Sequence, residues 1–153
     1  MSQLTTNYLT PTGREEAWRF TPLKKLSGIH DLEVSVADNI SLFAKSDLPK
    51  GVSLTTPNTS DHPPAYAASD IVTNRVRKEA KKTTLITIAD NTEIAEPIFL
   101  KRKCGPTAEV SRAAIQIGVN SRATVVIENN GAGKLGEEIE ISLEAGASLN
   151  FIS

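Results

Sequence analysis

From Thr83 to the end of the chain, apolar and polar residues alternate with a period of two. The runs are "TLITIA", "PIFLK", "AAIQIGV", "ATVVIE", "EIEISLEA" and "ASLNFIS", separated by Asn, Gly and Asp. Successive side chains on a strand point to opposite faces, so this rhythm predicts six strands with one apolar face each. A repeat overlies the region. Ile86, Ile88, Asn91, Ile94 and Ile98 map onto Ile115, Ile117, Asn120, Ala123 and Ile127 at a shift of 29. Ile115, Ile117, Val119, Asn120, Ala123 and Val125 then map onto Ile141, Leu143, Ala145, Gly146, Leu149 and Phe151 at a shift of 26. Three strand-turn-strand units in succession are the mark of a parallel β-helix or a related stack of coils. A period of two does not report strand direction, so an antiparallel β-sandwich stays open as the alternative. The segment 147–153 reads as the beginning of a strand with nothing to cap it, and the sequence therefore reads as truncated.

Before Thr83 the pattern is different. Residues 1–13 are polar, with Thr, Pro and Gly and no periodicity, and predict a flexible arm. Thr12-Gly13-Arg14-Glu15 has the form of a capping box, and Thr21-Pro22 offers a second helix start, so two short helices with a bend are expected. The chain's one tryptophan, Trp18, falls between them and is expected as a packing plug. From Ser27 to about Pro64 only Leu32 to Ile40 and Val52 to Leu54 are apolar enough to suggest short strands. In "DHPPAYAASDIVTNRVRKEAKK", Ala68, Ile71, Val72 and Val76 recur at helical spacing, with Arg75, Arg77, Lys78, Lys81 and Lys82 on the opposite face. The organisation expected is an arm (1–13), a helical and irregular region (14–82), and a β core (83–153) incomplete at its C-terminal end.

Composition narrows the function classes. A chain of 153 residues with 39% hydrophobic and 23% charged residues and a net charge of -1 suits one soluble domain, with no charge excess to recruit nucleic acid. No apolar run approaches the ~20 residues of a membrane span, and no signal-peptide pattern opens the chain. The expected compartment is the cytoplasm.

Candidate chemistry is sparse. Gly131-Ala132-Gly133-Lys134 resembles part of a phosphate loop. Position 128 is Glu and Leu135 replaces the required Ser or Thr, so a turn is the better reading. Cys104 follows "LKRK", whose cations would lower a thiol pKa, yet no histidine or second thiol lies at a telling distance. His30 and His62 each sit beside an aspartate in loop-like sequence and read as surface histidines. Glu137, Glu138, Glu140 and Glu144 read as a solvated strand face, and the basic run Arg75 to Lys82 as a solvated helix face.

The opening segment "GREEAWRFTPLKKL" (13–26) is similar to the N-terminal signature of the SufB/SufD family of iron-sulfur cluster assembly proteins, and most like its SufD branch. Arg14, Glu15, Glu16, Trp18, Arg19, Phe20, Thr21 and Leu23 occupy the signature positions. The order of the remainder agrees: a helix entering a strand, then the segment "IEISLEAGASLNFIS", which resembles an early coil of the family's right-handed parallel β-helix. The resemblance covers essentially all of this chain and about the first third to two-fifths of a typical member.

The resemblance implies a non-enzymatic scaffold subunit acting with a SufB-like homologous subunit and a SufC-like ATPase; composition adds the expectation of no nucleic-acid or membrane partner. It implies that the full complex assembles the iron-sulfur cluster, with residues that lie beyond this sequence. No catalytic, cofactor-binding or metal residue is therefore assigned here. Two other functions fit a β-helix in principle. A carbohydrate-binding protein or enzyme would need acidic residues aligned on successive coils, and an interaction module would use the Arg75 to Lys82 face.

Overall fold

A computed structural model of the chain describes residues 8–26 and 28–153. Six long strands follow Thr83, one for each alternating run: β4 (Thr83–Ile88), β5 (Ile98–Cys104), β6 (Ala108–Ile117), β7 (Arg122–Gly131), β8 (Lys134–Leu143) and β9 (Ser148–Ile152). Three short strands precede them, β1 (Ala37–Asp38), β2 (Phe43–Ala44) and β3 (Val52–Thr55). In one sheet β6 is the hub, parallel to β1, β4 and β8, while β3 runs antiparallel to β4. The other sheet has the order β2-β5-β7-β9, parallel except for β2. The molecule is thus mainly β, with two open mixed sheets and one α-helix among the described residues.

The apolar phase of each strand decides what meets what. Ile86 pairs with Ile115 and Ile115 with Ile141, offsets of 29 and 26 residues. In the second sheet Val125 pairs with Phe151, again an offset of 26. The expected match of Ile98 to Ile127 is corrected: Ile98 pairs with Val125, and Leu100 takes Ile127. The offset of 29 still holds at Glu93, which bridges to Arg122. Exposed Ala95, Glu96 and Pro97 then absorb two residues before β5 begins. Inward-facing Ile86, Ile88, Ala113, Ile115 and Ile117 of one sheet and Ile98, Leu100, Ala123, Val125 and Ile127 of the other form a single core. Each buried isoleucine, leucine or valine there contributes about 1.5–3 kcal/mol relative to exposure.

The turns between the sheets are stacked too. Asn91 (φ 52°), Asn120 (φ 54°) and Gly146 (φ 71°) all occupy the left-handed region, at the positions the repeat had aligned. The Asn91 amide donates to Val119 O and the Asn120 amide to Ala145 O, so each turn is hydrogen-bonded to the next. Asparagine and glycine tolerate this backbone where a branched side chain would not.

The first eighty residues depart more from expectation. Thr12 does not cap a helix. Glu15 does fold back, its carboxylate accepting from the Thr12 and Gly13 amides, but the 3-10 turn that follows starts only at Glu16 and ends at Trp18. A second 3-10 turn, Leu23–Leu26, follows Pro22. Both are too short to sustain α-helical bonding, and the aromatic and charged residues between them find little surface to bury. Of the expected arm, residues 1–7 lie outside the described residues. Tyr8 donates its hydroxyl to Ala68 O (2.7 Å), and Pro11 is buried.

The α-helix, α1 (Ile71–Glu79), is shorter than its apolar pattern suggests. Asp70 caps it by accepting from the Thr73 amide (2.8 Å), which leaves Ala68 outside. Its Val76 and Ala80, just beyond the last turn, pack with Val110 on the outer face of the β6 sheet.

Candidate functional site

The expected solvated faces of α1 and β8 turn toward each other. Arg75, placed on the basic face from sequence, is buried, and its guanidinium donates to the carbonyls of Gly28, Ile29, Asp31 and Val34. One cation thereby gathers the chain segment ahead of β1 onto the helix. Arg77 is spent as well: its Nε donates to both Glu138 oxygens (2.8 and 3.0 Å), and Nη2 pairs with the same carboxylate. That hydrogen bonding, reinforced by the charges of Glu138 and Glu140, pushes the Arg77 pKa up despite partial burial. Only Lys78 and Lys81 of the basic run stay fully exposed.

Beneath the helix lies Arg112 of β6, whose side chain is 0% exposed. It donates to Thr83 Oγ1 (2.9 Å) and Glu140 Oε2 (3.0 Å), and its Nε stands 3.4 Å from Glu138 Oε2. An unpaired guanidinium at this depth would cost several kcal/mol, so the two carboxylates are what permit it. Glu138 and Glu140 are therefore internal partners, and the expectation of a solvated outer face is corrected for both; Glu144 alone of the set is fully exposed.

A third buried arginine sits inside the core. Arg102 continues the inward phase of Ile98 and Leu100, and its side chain is 0% exposed. Its Nη1 donates to Asn129 Oδ1 (3.0 Å), and Nη2 faces Glu137 Oε1 of the opposite sheet at 2.6 Å. The latter contact is an ion pair without good hydrogen-bond alignment. Ser111 Oγ, on the residue paired with Glu137, and Arg102 Nε are likewise buried without a hydrogen-bond partner. Sequence reading missed Arg102 and Arg112; for Arg102 a signal was present, since it continues the apolar phase of Ile98 and Leu100, whereas Arg112 shares the phase of Ala114 and Gln116, opposite that of Ile115 and Ile117.

Cys104 shares the inward phase of Arg102, whereas Lys101 and Lys103 project to the other face. The thiol pKa is accordingly raised, by burial first and by Glu109 next, against a smaller lowering from Arg102. The neighbouring cations do not lower it on balance, because alternation along the strand separates Lys101 and Lys103 from the sulfur. His30 and His62 are half-buried, and His62 contributes its carbonyl to Arg112. The Gly131 to Lys134 segment is the two-residue connection from β7 to β8. A Cβ on Gly133 would lie 2.1 Å from Gly105 O, so glycine serves backbone stacking there. Among the described residues no group of three or more His, Cys, Asp or Glu is arranged to hold a metal ion.

The signature residues lie largely at the surface. Arg14, Glu15, Glu16 and Arg19 are exposed, Phe20 is 90% exposed beneath the Arg19 guanidinium (5.5 Å to the ring centroid), and Thr21 and Leu23 are half-buried. Trp18 is half-buried and packs less completely than a core plug.

The sequence that builds these two parallel ladders has relatives. Iron-sulfur cluster assembly SufBD family proteins of Mycobacterium tuberculosis and Mycobacterium bovis are each 28% identical over 148 residues, 93% of this chain and 36% of theirs. The Mycobacterium leprae protein of the same description is 30% identical over 148 residues, covering 93% of this chain and 37% of its own. The chain is a homologue of the SufBD family. It spans a little over a third of the length of these SufBD relatives. No protein-family profile matches it. The similarity to SufBD proteins extends through the strands as well as the opening motif, since 93% coverage cannot be reached by the first 26 residues. No helix among the described residues is long and apolar enough to cross a membrane.

Proposed function

We propose that this chain forms part of a scaffold subunit for iron-sulfur cluster assembly, of the SufD kind, acting in the cytoplasm with a SufB-like homologous subunit and a SufC-like ATPase. The observation that carries the reading is the match to SufBD proteins along 93% of the chain. The parallel register supports it independently, because strands offset by 26 to 29 residues in two facing sheets are the geometry of successive coils. In this reading β4 to β9 are the first coils of a right-handed parallel β-helix, and residues 14–82 are its lead-in. The role is structural. Glu137, Glu138 and Glu140 are each committed to an arginine, which suits a rigid platform better than proton transfer or polysaccharide cleavage. The cluster is the cargo of the whole complex, with no ligand assigned to this segment.

Deleting the gene and assaying aconitase under iron limitation tests the reading. Activity is expected to fall and to return on re-expression; unchanged activity overturns it. Affinity purification of the full chain from its own host is expected to bring down an ATPase and a second SufBD protein, and recovery without either rejects the proposed partners.

A further inference from the structure

The two sheets are not equally covered. The outer face of the β6 sheet is packed against α1, while the outer face of the β5-β7 sheet has no element over it among the described residues. That bare face is not uniformly polar. Phe99 pairs with Val126 and Val126 with Ile152, so three apolar side chains stand in one row across three strands. Phe99 is 43% exposed and Ile152 56%, and Phe43, on β2 opposite Lys101 and so one row along, is 51% exposed. Beside Phe43 a shallow depression of ≈ 380 Å³ is lined by Lys101, Lys103, Asn130 and Gly131.

The charges around this row are mostly of one sign. Lys45 lies over the Phe99 ring (5.6 Å to the centroid), Lys101 pairs loosely with Glu128 (3.6 Å), and Lys103 is exposed. Neither Lys45 nor Lys103 has a carboxylate within ion-pairing distance among the described residues. Three lysines against one glutamate leave a net positive rim on an apolar stripe.

We propose that this face docks an extended acidic segment of a partner protein, with aliphatic side chains over Phe99, Val126 and Ile152 and carboxylates against Lys45 and Lys103. An acidic peptide fits better than a nucleic acid. Glu128 stands within the face, the one ring in the row, Phe99, is covered by Lys45, and a net charge of -1 gives the chain no field to gather a polyanion. The surface is distinct from the arginine-carboxylate network under α1 and does not depend on the cluster-assembly reading.

The test is fluorescence anisotropy with the full chain and three labelled probes: the peptide acetyl-Asp-Ile-Glu-Val-Asp-Leu-Glu-amide, its counterpart with lysine at every acidic position, and oligouridylate. The acidic peptide is expected to bind roughly ten-fold or more tightly than the basic one and to weaken with added salt. Lys103→Glu, at an exposed position that leaves the fold intact, is expected to cut binding about ten-fold, and Phe99→Ser to do so with an unchanged urea midpoint. Absence of acidic-peptide binding, equal binding of both peptides, tighter binding of oligouridylate, or insensitivity to Lys103→Glu overturns the proposal. Concentration-dependent self-association abolished by Lys103→Glu would assign the face to a second copy and overturn it as well.

Discussion

Glu15 shows how much a single fully exposed side chain can be governed by local backbone. The Thr12 amide is the largest influence on its carboxylate, with Glu15's own amide next and the Thr12 hydroxyl and Gly13 amide adding to them, and together they hold the pKa down to about 2 from an ordinary value of 4.5. The charged form is therefore favoured in the fold. Its contribution is fully present above the ordinary carboxyl pKa and is lost as the pH falls from there through about 2. An NMR titration of the Glu15 carboxyl carbon is expected to show a midpoint near 2, and a midpoint at the ordinary value would mean the turn does not persist in solution. A buried residue behaves differently. Replacing Glu137 by Gln removes the countercharge from Arg102 and is expected to cost about 3 kcal/mol or more in urea unfolding. Combining Arg102→Met with Glu137→Leu is expected to recover most of that loss, because neither charge then remains to be desolvated. Trp18 belongs with the milder cases, since a half-buried ring forfeits less on truncation than a core aromatic.

At the scale of the element, the turns joining the two sheets are as constrained as the strands. Asn120 stacks between Asn91 and Gly146 in the left-handed region, with its amide bonded to the turn below. Asn120→Gly is expected to be tolerated within about 0.5 kcal/mol, whereas Asn120→Val, strained at this φ, is expected to lose roughly 1–3 kcal/mol. Thermal unfolding of the two variants side by side checks this, and equal midpoints would show that the turn relaxes. The helix α1 is held by unlike forces: Val76 and Ala80 supply apolar contact, and Arg77 supplies the tie to Glu138. The six alternating runs were legible as strands because their polar phase faces water or the helix and their apolar phase faces one core. The 3-10 turns at 16–18 and 23–26 were legible only as helix starts, since a cap signal marks where a turn begins and says nothing of whether enough apolar surface follows to extend it.

Across the whole molecule, burial is graded along the stack. Ile86 and Ile115 are fully enclosed, while their successor Ile141 remains partly exposed. Ile115→Ala is accordingly expected to cost ~3 kcal/mol or more, and Ile141→Ala well under half of that. Similar losses for the two in urea denaturation would show that the third coil is covered in solution. Sequence by itself determined the six strands after Thr83 and the coil-to-coil repeat, because both rest on periodicity, and the likeness to SufBD proteins, because the 13–26 motif carries it. The tertiary structure alone decided strand direction, the two-residue slip at Ile98, and the fate of the charges. Arg75, Arg77, Glu137, Glu138 and Glu140 look solvated in a linear reading, since a charged residue is normally left in water. What reverses that is the arrival of an opposite charge or a ring of carbonyls from segments 28 to 61 residues away, which no local pattern encodes.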